Sequence, residues 1–364
     1  MISKSIVIKN PEDLFQLSPY DQKNTLFIAF CNNRNLINSL QNFIKEGNII
    51  GSSNYHSISG EELVSPDFLT VGILNFKNTK VKTSFSEIPN YEGSEEAGIK
   101  LMQDLNIDGL AGVILLTKGL NIDGLRFSNG INSANLKSVP IIGGFAADNL
   151  NFSDTFVFNN KIISSSGCIG AALIGNSVSL EINSKAGLKS FGVERKITKS
   201  HKNIIQEIDG KPALDVYEKY IGKDFSTSAA ESYFFFPFEI GKDLNFKSGV
   251  VRTPLKLHAE TKSIEVVSEV PEMSFLRLMI TSPEELIMAA EEVNDSNSNL
   301  QNSFSLIISC AARKALMGEQ TAMEIPKNRE SQVGFYSYGE FTFLDNQCTI
   351  VNQTFTQGII HERI

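Results

Sequence analysis

The sequence predicts an α/β fold of mixed sheets, arranged as two related halves in which buried sheets are flanked by helices. Three observations predict it. Residues 25–31 (TLFIAFC), 111–117 (AGVILLT) and 304–310 (FSLIISC) are apolar runs of strand length without polar alternation, the pattern of strands covered on both faces. Each run is followed by a crossover and then by a second short strand carrying glycine, at 49–53, 139–144 and 332–336. A length of 364 residues exceeds one ordinary core and sets the expectation at about two domains.

In chain order, residues 1–24 read as a helical extension: after Ile6-Val7-Ile8, Asn10 is an N-cap and Pro11 the first helical residue. A first domain, 25–222, opens with the strand at 25–31, bounded by Asn32-Asn33. Leu36, Leu40, Phe43 and Ile44 recur at helical spacing and Gly47 stops that helix. A strand at 69–76 follows the first copy of this pattern, and one at 168–180 follows the second. Asp209-Gly210 is a turn before a helix over 213–220, which Gly222 ends. The small, polar stretch 223–231 is a linker to a second domain, 232–364. There Ser282-Pro283-Glu284-Glu285 is a capping box opening a helix through Val293, with 294–299 an exposed loop. The third copy, from 304, is followed by a strand at 348–355. The intervals differ, so architecture repeats without a fixed sequence period.

Composition excludes several function classes. The formal net charge is −8, and neither half offers the basic face that a phosphate backbone or an anionic membrane requires. No apolar run approaches the roughly 20 residues of a membrane span, and the N-terminus lacks a signal-peptide core. Cys31, Cys168, Cys310 and Cys348 lie far apart without a CxxC pair, so neither a zinc site nor a disulfide scaffold is indicated. A cytoplasmic chain is the expectation. Phosphate-loop, GxGxxG, GxSxG and HExxH motifs are missing, and four isolated histidines have no second ligand at metal spacing. The expectation is no metal, no cofactor and no catalytic residue. Paired carboxylates such as Glu61-Glu62 and Glu95-Glu96 are adjacent along the chain and read as solvated faces.

What remains is a cluster in the last third. Cys310-Ala311-Ala312-Arg313 lies where a buried strand meets a helix, the crevice in which α/β sheets hold ligands. Arginine is electrostatically misplaced in a first helical turn. It makes sense there if its fork and free backbone N–H groups share an anion such as a carboxylate; the bland alternative is a surface ion pair with a nearby glutamate. In Gly334-Phe335-Tyr336-Ser337-Tyr338-Gly339-Glu340, glycines bracket aromatics at a strand end, and Glu340 is placed to meet an amine or Arg313. Asn352 and Thr354 share one face of a strand. Gly143-Gly144 is a weak candidate for an oxyanion cradle. Cys310 reads as a buried hydrophobe more readily than as a reactive thiol, having no histidine near it in sequence.

Several of these segments, in order, resemble the FIST-domain family of sensory modules. The resemblance runs through Pro140-Ile141-Ile142-Gly143-Gly144, Phe156-Val157-Phe158-Asn159-Asn160 and Gly170-Ala171-Ala172-Leu173. Its most specific piece is Ile205-Gln206-Glu207-Ile208-Asp209-Gly210-Lys211-Pro212-Ala213, similar to the family's I-x-E-[LI]-D-G-x-P-A signature. The segments around Cys310–Arg313, Gly334–Glu340 and Asn352–Thr354 resemble the motifs of its C-terminal domain. The resemblance implies a FIST N and a FIST C domain from about residue 25 onward. It also implies binding of small ligands, amino acids among them, and transfer of occupancy to a signalling domain. Carried over by position, Cys310, Arg313, Tyr338, Glu340, Asn352 and Thr354 surround the pocket.

The expectation is thus a cytoplasmic sensor of a small carboxylated metabolite, such as an amino acid, with its carboxylate on Arg313 and its amine near Glu340. No kinase, methyl-accepting or F-box segment is recognised, so a separate signalling partner is implied. Two rivals remain: an acyl- or amide-processing enzyme using Cys310 or Glu340, and an interaction scaffold docking a basic partner on the acidic second domain.

Overall fold

A computed structural model describes residues 1–223, 230–246, 249–295, 303–327 and 329–363. The linker read from sequence falls mainly on 224–229, and the loop at 294–299 mainly on 296–299; both stretches lie outside the described residues. Asn294 and Asp295 complete helix Pro283–Asp295.

Each of the three apolar runs lies inside its own six-stranded sheet. Thr25–Phe30 sits between Asn48–Ser52 and Leu69–Asn75. Leu110–Thr117 sits between Ile141–Phe145 and Gly167–Ile174, and Phe304–Cys310 between Gln332–Ser337 and Phe355–Glu362. In all three, the strand after the crossover is parallel and the returning strand antiparallel. The order read along the chain is therefore repeated in space, within an α/β fold of mixed sheets flanked by helices. Two boundaries differ. The run 168–180 breaks at Gly175, whose φ of 147° L side chains rarely adopt, into Gly167–Ile174 and Val178–Lys185. The third return strand is Phe355–Glu362, because the chain turns after Gln347–Val351 with Gln353 at a positive φ.

Side chains alternate between two covered faces, which explains why these strands show no polar alternation. Leu26, Ile28, Phe30, Ile114, Leu116, Ile142, Leu306, Ile308 and Phe335 meet in one core between the three sheets. The opposite faces are covered by helices. Phe27 and Ala29 pack under the 3-10 helix Pro11–Tyr20 and helix Arg34–Phe43. Val113 and Leu115 pack under Ser94–Leu105 and Gly124–Ala134, and Ile307 under Pro283–Asp295.

Distant parts of the chain share sheets. Glu340–Leu344 pairs with Ile141–Phe145, Gln332–Ser337 with Ser57–Ser59, and Phe355–Glu362 with Val178–Lys185. The segment 1–24 contributes an edge strand, Ile2–Ile8, along Leu69–Asn75 before its 3-10 helix. A fourth, antiparallel sheet is built from residues 189–280, with helix Ala213–Ile221 packed on it.

Candidate functional site

The C-terminal end of Phe304–Cys310 opens on a cavity of roughly 110 Å³. Cys310, Ala311 and Ala312 line it at the strand–helix junction, and Ser337, Tyr338 and Asn352 at the ends of neighbouring strands. The first part of the chain adds Gly119, Leu120, Leu150 and Phe152. Phe234 and the fourth-sheet segment, through Thr253, Leu255 and Val267, complete the wall. Three of the residues singled out from the sequence, Cys310, Tyr338 and Asn352, therefore converge with their neighbours Ala311, Ala312 and Ser337, and the rest of the lining comes from segments with no local signal.

Asn352 is 1% exposed, and its side-chain carbonyl Oδ1 has no hydrogen-bond partner. A buried acceptor left unsatisfied costs about 1–3 kcal/mol. The lining is otherwise mostly aliphatic and aromatic, so this oxygen is a point at which an N–H or O–H donor would be favoured.

One flank of the cavity is held by Asp148. Its carboxylate accepts from the Tyr338 hydroxyl, from the amides of Phe152, Ser153 and Asp154, and from the Ser153 hydroxyl. Burial alone would raise this carboxyl; the hydrogen bonds from Tyr338 and the three amides hold it below its ordinary range. The clamp supports an unusual loop: Asn149, Leu150 and Phe152 all take positive φ, which non-glycine residues rarely adopt. Phe152 stacks on Tyr338 with ring centroids 4.8 Å apart. Burial, together with the Asp148 charge, keeps the Tyr338 hydroxyl protonated far above neutral pH.

Glu340 lies behind this wall and faces no amine. Ser337 Oγ donates to it at 2.9 Å, and Thr354 donates through Oγ1 at 2.6 Å and through its backbone N at 3.2 Å. Burial pushes the Glu340 carboxyl up to about 7, against the lowering by Thr354 and Ser337. Thr354 is thus a ligand of Glu340, and Ser337 both lines the cavity and bonds Glu340.

Arg313 requires a correction. Its side chain is completely buried and its fork is spent inside the protein. Nε and Nη2 donate to Glu324 Oε2 at 3.0 and 2.8 Å; Nη1 donates to the carbonyl of Ala186 at 2.8 Å and Nη2 to that of Leu286 at 2.7 Å. Ser309 Oγ holds the other Glu324 oxygen at 2.8 Å. An arginine in a first helical turn is tolerated because Glu324, at the end of the 3-10 helix Gly318–Glu324, returns beneath it. Among the described residues none lining the cavity is cationic, and the Arg313 fork is already paired, so the carboxylate seat expected at Arg313 is withdrawn.

The glycines are corrected on packing grounds. A Cβ on Gly143 would lie 1.9 Å from the Leu115 carbonyl oxygen, and one on Gly334 would lie 2.5 Å from that of Ile307. A Cβ on Gly144 would meet Ile308 and Phe335 within 3 Å. All three permit close approach of strands, and Gly143 and Gly144 lie on the ladder with Glu340–Leu344. None forms a cradle.

Cys310 lines the cavity, but burial drives its thiol well above the ordinary range and Glu340 adds to the effect. That is the reverse of the activation a nucleophile needs. Among the described residues, no group of three or more His, Cys, Asp or Glu could hold a metal ion.

Gly119, Leu120, Leu150 and Phe152 were not legible as site residues, although Gly119 follows a buried strand directly. Phe234, Thr253, Leu255 and Val267 carry no pattern that distinguishes them from ordinary sheet positions.

Comparison with known proteins agrees with this architecture. The FIST N domain model matches residues 25–211 and the FIST C domain model matches residues 213–342. An uncharacterized protein of Methanocaldococcus jannaschii is 23% identical over 195 residues, 49% of this chain and 36% of that relative. The chain thus spans about a third of the length of the curated relative it matches.

Proposed function

The chain belongs to the FIST family, whose domains are associated with sensory signal transduction and small-ligand binding, and on that premise we propose that it is a non-catalytic sensor whose ligand fills the cavity beside Asn352. The observation that carries this reading is the unpartnered Asn352 Oδ1 in an otherwise largely apolar cavity. The ligand is small: a cavity of about 150 Å³ accommodates benzene, and this one is somewhat smaller. Its chemistry follows from the lining: a compact, mostly apolar molecule with one N–H or O–H donor, such as a short amine, amide or alcohol. A free amino acid would leave its carboxylate without a cation among the described lining residues.

Occupancy would be reported through the loop after Asp148, which presents Leu150 and Phe152 to the cavity while Phe152 stays about half exposed. A separate signalling protein that contacts this loop is the partner proposed. The thiol of Cys310, kept protonated by burial, supports binding over nucleophilic chemistry. Four free, buried cysteines fit a reducing, cytoplasmic setting. No helix among the described residues is long and apolar enough to cross a membrane.

The test is a thermal-shift screen of the full chain against short amines, amides and alcohols, repeated with Asn352→Leu. A ligand at 100 times its Kd adds about 2.7 kcal/mol of stability. Leucine in place of the acceptor should remove most of that gain; a variant that responds as fully as the wild type excludes Asn352 from the site.

A further inference from the structure

Arg252 is 3% exposed, sits on the edge strand Val250–Arg252, and lines a cavity of roughly 260 Å³ distinct from the one lined by Thr253. The other walls of this cavity are helix Gly124–Ala134, strand Gln347–Val351 and the segment 269–274. Arginine carries five N–H donors. Here Nη1 donates to the carbonyl of Val251 at 3.0 Å, Nε is buried with no partner, and among the described residues no carboxylate forms an ion pair with it. Asp123, whose charge acts on Arg252, is occupied by the backbone and side chain of Arg126. Burial pulls the guanidinium down to about 10. Arg313 shows how this protein treats a buried guanidinium that has only a structural role: every nitrogen is paired.

An unpaired buried charge is costly, and the open space beside it is where compensation would enter. We propose that Arg252 marks a second binding site, separate from the Asn352 cavity, for a small oxyanion carried on a largely aliphatic molecule. Its carboxylate or phosphate oxygens would take the free N–H groups of Arg252, and its body would lie against Leu125, Ile240 and Ile350. Exposed Lys242 at the rim adds attraction, and Glu269 on the same wall opposes it. The inference does not depend on the Asn352 cavity: either site can fail alone.

The experiment compares the melting temperature of the full chain in sodium phosphate, sodium acetate and sodium chloride at matched ionic strength. Phosphate or acetate should raise it above chloride, and the larger rise names the headgroup. Arg252→Met should fold with unchanged or raised stability in chloride, because it removes an unpaired charge. It should weaken binding of the effective anion by about 10- to 100-fold, the value of one charge-assisted hydrogen bond. Glu269→Gln should strengthen that binding. The proposal is overturned if neither anion acts beyond chloride, if Arg252→Met keeps the full rise, or if it melts several degrees lower in chloride.

Discussion

Replacing Arg313 by methionine separates a structural from a ligand-binding role for the residue that drew most attention in the sequence. The substitution keeps the length of the side chain and deletes its charge. Glu324 then loses two donors, at 3.0 and 2.8 Å, and keeps only Ser309 on its other oxygen. The carbonyls of Ala186 and Leu286 lose their donors as well. Breaking a buried ion pair by removing one partner costs about 3–5 kcal/mol, and the loss of the donors to the Ala186 and Leu286 carbonyls adds to it. Against a total of about 5–15 kcal/mol, that is a large fraction of the stability. Urea unfolding followed by far-UV circular dichroism reads the loss. The double variant Arg313→Met, Glu324→Met should recover most of it, because no charge is then left buried. An Arg313→Met protein within about 1 kcal/mol of wild type would refute the argument. If it also lost its response to ligand, Arg313 would return to the binding site.

Two further outcomes follow from the same neighbourhood. Glu340 is protonated in the fold up to about pH 7 but ionises near its ordinary 4.5 when unfolded, so the fold loses stability as pH rises through that window. The loss is about 3 kcal/mol, and Glu340→Gln should abolish it; equal pH slopes for the two proteins in urea titrations at pH 4.5 and 8 would count against a buried carboxyl. Cys310, held protonated by burial, should alkylate far more slowly with iodoacetamide at pH 7.5 than a free cysteine, as mass spectrometry of the labelled peptide would show.

The polypeptide's local chemistry determined the sheets. Continuous apolar runs such as 25–31 and 304–310 signal burial on both faces because a covered strand has no water-facing positions to fill with polar residues. The Ile205–Ala213 stretch, on which the family resemblance leaned most, also has a local physical reason. Asp209 and Gly210 take positive φ in a tight turn, and Asp209 accepts from Arg195 Nη1 and the Lys196 amide. That Cys310, Tyr338 and Asn352 share one cavity was foreseeable because strand ends in such sheets converge on a crevice.

Tertiary structure decided what those ends do. Arg313 looked available because Glu324 lies eleven residues away, across a helix and a 3-10 turn whose path no spacing rule predicts. Gly143 read as a possible oxyanion cradle and Gly334 as a strand-end glycine beside the pocket, yet their missing side chains make room for carbonyls contributed by other strands. Arg252 gave no signal at all, since an arginine on an edge strand is ordinarily solvated. Pairing and burial depend on segments far apart in the chain being brought together, and a one-dimensional pattern records only each residue's own preference, not the partner that meets it.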